Sequence, residues 1–531
     1  MKSQLLKNKI ALVLILISAY LIRSFGINWD QGFHLHPDER MLIMVADKIN
    51  FFTNLNPDFF NYGSLPIYLL KGLSQLIDFL FHKNLATYDG MLAVGRNLSI
   101  VFDLATIYLI YKTAKLLFKE NKIALFSSLL YAISFFPIQN AHFFVVDVLL
   151  NTLITGLIYT LLVYLKSPSK INIIISGLIF AAMMATKFTA IIFLPIIILI
   201  LFWKTMKNWG NLIISVFLFA LFSISFYFLL MPYAFIEKIR FISDIQQQLR
   251  MNSNPYIFPY TLQYVYTLPY LYYLKNIFLW GLGPVISIMS AAGLVFLFKK
   301  IKRPNFLIFF VFYLLYFLII GRSAVKFMRY MLPLYPFFAV LSGQTLYQIY
   351  KNCKTCVIVI FFICLIWSFM FLQIYSSPHT RISATEWILK NIPRGATLAV
   401  EHWDDRLPIN GSENYNFEEM TLFELPDDEM KWQTLYEKLV KTDYIIIASN
   451  RLYVPLQKLS DCKKYKSCYP KTTEYYQKLF NNKLPFKKVI EFSSYPKFQI
   501  GNFKFELNDD GADESFTVYD HPKILIFKKT D

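Results

Sequence analysis

The chain has 531 residues, 56% hydrophobic and 18% aromatic but only 17% charged, with a mean hydropathy of +0.43. This is too apolar for an ordinary soluble domain and makes a polytopic membrane protein the default. The formal charge of +18 does not mark a nucleic-acid binder. Residues 376–531 hold 22 Lys+Arg against 23 Asp+Glu, so the basic excess belongs to the apolar part before them.

A bilayer core about 30 Å thick takes about 20 mostly apolar residues per helix. Such runs predict about eleven spans, at 10–27, 93–117, 123–139, 146–165, 171–186, 188–203, 211–231, 277–298, 305–320, 331–349 and 356–375. The first lacks a small-residue cleavage site and reads as an anchor. If the spans alternate, KSQLLKNK, KLLFKENK, KSPSK, WKTMK, KKIKR and YKNCK share one face, which the positive-inside rule puts in the cytoplasm. The N-terminus is then cytoplasmic and residues 376–531 lie outside. The acids segregate the other way: before residue 376, only Asp103, within a span, and Glu120, in a cytoplasmic loop, do not fall at the outer face.

Two outer loops are long. The first, 28–92, contains HLHPDER, FFNYGSLPIYLL and an amphipathic piece, LPIYLLKGLSQLIDFLFH, expected to lie along the interface. The second, 232–276, is dense in Tyr and Pro and reads as an aromatic interfacial belt or as a sugar or lipid platform. Beyond residue 375, strand-like TLAV, YIIIAS and ILIF alternate with helix-like ATEWILKNI and WQTLYEKLVK, which predicts a small α/β or α+β domain. The fold class is therefore a polytopic α-helical membrane part, 1–375, followed by an extracytoplasmic domain, 376–531. Cys462 and Cys468 are spaced to close a loop if oxidised, or stand as two free thiols. Cys353 and Cys356 form a C-x-x-C with no second pair to complete a zinc site, and the spacing is read as incidental.

The candidate chemistry gathers at the outer membrane edge. Asp38 and Glu39 follow Pro37; on a strand they point apart and on a helix they sit about 100° apart, so one acts at a site and the other supports it. Asp147 follows His142 in NAHFFVVD. Arg96, Lys187, Arg322, Lys326 and Arg329, with Tyr330, lie at the same level, and cations beside carboxylates suit a pocket that binds a phosphate and does acid/base work next to it. The plainer reading is charge balance and snorkelling, with Arg96 reaching Asp103 along its own helix. A divalent ion on His34, His36, Asp38 and Glu39 stays open, although so short a loop seldom completes a ligand shell; no metal or other cofactor is assigned.

HPDER, YGSLPIYLL, VGRNLSIVFDLATIYLIYKTAKLLF, NAHFFVVDVLL, GLIFAAMMATKFTAIIFLP and KFMRYMLPLYP occur in an order that resembles bacterial lipid-carrier-dependent glycosyltransferases of the GT-C type, similar to protein O-mannosyltransferases and the aminoarabinose transferase of lipid A. EHWDDRLP, YPKTTEYYQKLF and DESFTVYDHPKILIFKK resemble the tails of such proteins. The oligosaccharyltransferase signature WWDYG is missing. The resemblance implies a polyprenyl-phosphate donor carrying one sugar and an inverting transfer outside the cytoplasm. By position it makes Asp38, Glu39 and Asp147 the catalytic acids, with His36 and His142 in support, and places Arg96, Lys326, Arg329, Tyr330 and, on a more hydrophobic motif, Lys187 at the donor phosphate.

The chemistry agrees with that reading. An acceptor hydroxyl needs a base as the new bond forms, whereas a leaving lipid phosphate needs cations and no proton. A base held near apolar walls is expected to have a raised pKa. The alternatives are a polytopic transporter, for which no convincing inverted repeats or midplane breaks are found, and a non-catalytic envelope assembly protein. Sugar and acceptor, whether protein, lipid or cell-envelope glycan, are left open.

Overall fold

The computed structural model describes residues 2–206 and 208–530, with side chains from residue 6 onward. Among the described residues every run expected to span is helical in whole or in part, the first within Lys2–Ser24, but fewer than eleven qualify there as full-length spans. Among the described residues six helical segments are long and apolar enough to cross a membrane: Ser64–Phe81, Tyr88–Phe118, Val146–Lys166, Phe188–Thr205, Trp209–Leu230 and Lys354–Asn391. A seventh is added if Asn121–Ala132 and Phe135–Ala141, bent by 60°, form one span. The difference is physical. Lys170–Met184, Pro284–Phe298 and Pro304–Ile320 have only 15, 15 and 17 residues, and the run at 331–349 begins in a 3₁₀ turn, Met328–Leu334, that contains Pro333. In exchange, Ser64–Phe81, expected along the interface, is itself long and apolar enough to cross.

Tyr88–Phe118 is the spine. Its 31 residues rise about 46 Å at 1.5 Å each, and it packs against Val146–Lys166, Asn121–Ala132, Ser64–Phe81 and Pro37–Asp47. Midway along it Asp103 is buried and takes hydrogen bonds from Arg23 (2.5 Å) and Tyr131 (2.7 Å). An ion this deep persists only because its partners are held by neighbouring helices. Arg96 does not reach it.

The C-terminal domain is built on a five-stranded sheet. In chain order the strands are β1 Thr397–Glu401, β2 Asn416–Met420, β3 Tyr444–Ile447, β4 Phe486–Phe492, β5 Lys497–Ile500, β6 Phe503–Glu506 and β7 Ile524–Lys529; the sheet order is β2-β1-β3-β7-β4, with β5 and β6 a separate hairpin. β2, β1 and β3 are parallel neighbours, whereas β7 is antiparallel to both β3 and β4. All four residues of β3 are buried, as expected of a central strand covered on both faces. On one face Glu429–Lys441 seats Trp432, Leu435 and Leu439, spaced three and four apart along one helix side.

This domain is keyed into the membrane part. The strap 509–521 leaves the sheet domain and inserts Phe516 between Phe135, Phe136 and Phe371, with ring centroids 5.7–6.3 Å away. Asp513 accepts from Tyr272 (2.7 Å), and Asp520 from Gln139 (2.9 Å) and Tyr375 (2.7 Å). Both carboxylates are at most 3% exposed. Cys462 is bonded to Cys468, and Cys353 to Cys356.

Candidate active site

His36 closes the extended loop and caps the helix Pro37–Asp47: its ring nitrogen accepts from Glu39 N (3.4 Å), with Pro37 at the first helical position. Proline is tolerated there because that N–H has no intrahelical partner, and acids in the first turn meet the positive end of the helix dipole. HPDE is thus a helix start. The turn sends its two acids in different directions.

Glu39 is fully buried and faces the spine helix. Arg96 donates to both its oxygens (3.1 and 2.8 Å) and to both oxygens of Asp30 (2.9 and 2.8 Å), while Phe144 N donates to Glu39 Oε1 at 2.8 Å. Asp38 faces a cavity of about 330 Å³. Its Oδ1 accepts from Tyr62 at 3.3 Å; its Oδ2 lies 3.1 Å from Arg329 Nη2 without forming an aligned hydrogen bond. Arg329 also lies 3.7 Å from Asp147 and donates to the Tyr519 hydroxyl at 3.1 Å. Asp147 accepts from Lys187 at 2.8 Å, and Lys187 stands over the Tyr330 ring at 4.5 Å. Asp38, Arg329, Asp147, Lys187 and Tyr330 therefore form one connected cluster. Its pieces are held together by backbone contact: Gly63 N donates to Thr186 O and Leu65 N to Ala185 O, both 3.0 Å. A Cβ on Gly63 would collide with the Ala185 carbonyl. This close approach fixes Tyr62, on the cavity, relative to Lys187, on a neighbouring apolar cleft.

Burial pushes the Asp38 carboxyl upward, but the Arg329 guanidinium, with Lys187, outweighs it and holds the group below the usual carboxylate range. The expectation of a raised base is therefore not met in this state. Burial also holds the neighbouring His36 imidazole neutral, its pKa pushed down to about 3.

Beside this chamber runs an apolar cleft of about 570 Å³, walled by Phe188, Ile191, Ile192, Ile319 and Ile320, with Lys187 and the exposed Arg322 along it. Asn252 and Tyr330 line both spaces, and the Tyr330 hydroxyl donates to Asn252 Oδ1 at 3.0 Å.

A profile of the family described as dolichyl-phosphate-mannose-protein mannosyltransferase matches residues 86–228. The archaeal oligosaccharyltransferase AglB from Archaeoglobus fulgidus, solved with an inhibitory peptide and a dolichol-phosphate, is similar over 95% of this chain and 74% of its own, at 12% identity and a TM-score of 0.52. Its fold is that of the GT-C glycosyltransferases. The apo form of the Archaeoglobus fulgidus enzyme aligns over 98% of this chain and 88% of its own, at 10% identity and the same score. ArnT from Cupriavidus metallidurans, bound to undecaprenyl phosphate, aligns over 84% and 94% at 13% identity, with a TM-score of 0.49. No curated protein sequence matches the chain.

Within this GT-C fold the expected site residues divide into two sets. Asp38, Arg329 and Tyr330 line the chamber and Lys187 and Tyr330 the cleft, while Asp147 lines neither and is joined to them through Lys187 and Arg329. Arg96 and Glu39 sit behind the wall, paired with each other. Lys326 is buried, donates to Ala324 O at 3.1 Å and lines neither space. His36 packs between Phe143 and Tyr519. His142 is locked between the carbonyls of Ile138 and Phe25, both 2.8 Å away, and stacks on Tyr375. His34 turns to Asp89, so His34, His36, Asp38 and Glu39 do not converge on one point.

Sequence reasoning did not single out Tyr62, Asn252, Tyr519, Arg451 or Glu514, all of which line the chamber. Tyr62 sits in the quoted YGSLP, and Glu514 and Tyr519 in the quoted DESFTVYDH, whose density of acids and aromatics was the available signal. Arg451, in ASNRLY, carried none.

Proposed function

We propose that the protein is a glycosyltransferase that moves one sugar, with inversion, from a polyprenyl-phosphate carrier to an extracytoplasmic hydroxyl. The carrying observation is the shared wall of Tyr330 and Asn252: an apolar cleft fit for a prenyl chain opens beside a polar chamber that holds a carboxylate and a guanidinium. The tail lies in the cleft and its phosphate meets Lys187, Arg322 and Arg329 at the junction. The family profile over 86–228 and the dolichol-phosphate present with AglB support a lipid-phosphate donor.

In the reaction the acceptor oxygen attacks the anomeric carbon and a new C–O bond forms. The bond to the phosphate oxygen breaks on the opposite face, and its electron pair leaves on the phosphate. The proton passes to Asp38. Arg329 and Lys187 take the developing charge on the leaving group, where fixed cations act most strongly. An incoming phosphate competes with Asp38 for Arg329, which loosens the pairing that depresses the acid and readies it as a base. Asp147 holds Lys187 and Arg329 in place.

Purified protein incubated with a panel of radiolabelled polyprenyl-phosphate sugars and envelope extract transfers label to acceptor, and the Asp38→Asn variant does not. Transfer absent with every donor, from protein that is folded, overturns the proposal.

A further inference from the structure

The chamber has a second charged pair, supplied by the C-terminal domain. Arg451 Nε donates to Glu514 Oε1 at 2.7 Å, and the guanidinium lies 5.4 Å from the centroid of the Tyr260 ring. Glu514 is only 5% exposed, yet its Oε2 is buried without a hydrogen-bond partner. A buried acceptor left unpaired forfeits its hydration with nothing in return. A carboxylate kept that way on the wall of a cavity is poised for a donor brought by a ligand. Tyr260 stacks on Phe258 at 5.2 Å, and Phe327 stands 6.2 Å from Tyr260, which makes a flat aromatic surface beside the pair.

We infer that Arg451, Glu514 and Tyr260 form the subsite that reads the donor sugar, and that this sugar is neutral. The inference rests on the lipid-carrier reading above. A prenyl chain in the cleft puts the phosphate at Tyr330 and Arg329, so the next group along the donor enters this chamber. A pyranose or furanose ring has apolar C–H faces suited to the aromatic surface and hydroxyls that both donate and accept. One hydroxyl donates to Glu514 Oε2 while the Arg451 fork offers hydrogens to a neighbour. Charge selects among sugars: Arg451 already balances Glu514, so an ammonium at this subsite meets a guanidinium beside the carboxylate and finds no uncompensated acid there. Sites built to hydrogen-bond a hydroxyl discriminate strongly against analogues that lack it, because their own polar groups are then left unpaired.

Glu514→Gln is the sharp variant. Arg451 keeps the amide oxygen, so the NH₂ falls where Oε2 was and an acceptor becomes a donor without change of shape. The probes are undecaprenyl phosphate alone and the same lipid carrying neutral hexoses, a neutral pentose or an amino sugar, bound to the purified full chain in detergent. The best-bound sugar is expected to be neutral and to raise affinity over the bare lipid. Glu514→Gln is expected to lose about tenfold or more of its binding and to leave the bare lipid unchanged. Tyr260→Leu, which removes the aromatic face without changing the chamber's net charge, is expected to shift the same ratio and carries the test if Glu514→Gln does not fold. The inference is overturned if the sugar-to-bare ratio is unaltered, if both lipids weaken together, or if the amino sugar is preferred. Failure of the wild type to bind the bare lipid instead sinks the lipid-carrier reading itself.

Discussion

Asp38 and Glu39 differ by one position and therefore by about 100° around a helix, and this rotation separates chemistry from scaffold. Asp38→Asn removes the proposed base; transfer is expected to fall by about 100- to 10,000-fold while the donor still binds, as a turnover assay beside a lipid-binding assay will read. Glu39→Gln acts elsewhere. It leaves Arg96 paired with Asp30 but replaces a charged acceptor of Arg96 and Phe144 N by a neutral amide whose NH₂ must face one of those donors, a loss of about 1.5–3 kcal/mol, so the expected loss is in thermal stability and yield. A Glu39→Gln protein as stable as wild type but inactive reverses this division. Arg329→Ala is expected to weaken binding of the bare lipid phosphate by about 2–5 kcal/mol, because Asp38 then faces the phosphate unbalanced; Arg329→Lys restores only part, lacking the planar fork. Unchanged affinity in the alanine variant moves the phosphate elsewhere. The acids were legible because a charge at a membrane edge stands out from an apolar sequence. Their directions were not, since they depend on His36 capping a helix whose apolar period is only eleven residues long.

At the scale of elements, the strap 509–521 carries a titratable lock. His521 lies between Asp520 (2.5 Å) and Asp509 (2.9 Å), all three nearly inaccessible. Burial opposes its charge, but the two carboxylates outweigh burial and hold the imidazole at about 10, against about 6.5 in an unfolded chain. Its folded pKa is raised. The stabilisation is therefore complete below about pH 6.5 and drains away as pH rises toward 10. Docking of the C-terminal domain is expected to weaken across that window, read as a falling melting temperature in detergent and faster protease cleavage of the strap. His521→Asn should melt lower at pH 6.5 and lose most of the slope; equal slopes in the two proteins reject the lock. Three of the five strands of the main sheet, with their apolar runs, were legible from pattern alone, as TLAV, YIIIAS and ILIF became β1, β3 and β7, whereas β2 and β4, rich in charged residues, were not. The strap was not: DESFTVYDH has no periodicity, and its structure is set by the cavity between Phe135, Phe371 and Tyr375 that receives it. The same holds for the broken spans, where Pro333 and short apolar stretches end helices that hydropathy alone reads as continuous.

For the molecule as a whole, the two ends of the bundle differ in what they carry. The chamber, the cleft mouth and the docked domain share one end, together with Asp30, Asp38, Glu39 and Asp147. Lys122 and Glu120, which bond Tyr350 (3.0 Å) and Tyr347 (3.2 Å), lie at the other end of the spine helix with the lysine-rich turns. Loops rich in lysine stay on the cytoplasmic side during insertion, so the chamber end is expected to face out. The expectation does not depend on counting eleven spans, because it follows from where basic and acidic side chains sit on a bundle whose parts are already fixed relative to each other. The proposed lipid-linked donor would be presented at that surface with its phosphate, tied to its chain, reaching no farther than the head-group layer, so the proposed base, Asp38, is expected at the membrane edge. Alkaline phosphatase fused after residue 531 should be active and a cytoplasmic reporter at the same point silent. Single cysteines tell the same story without fusions: in a background lacking the native thiols, Cys at Lys466 should react with a membrane-impermeant maleimide on intact cells and Cys at Lys302 only after permeabilisation. The opposite labelling pattern would turn the protein over in the membrane and put the chamber, with its proposed donor, in the cytoplasm.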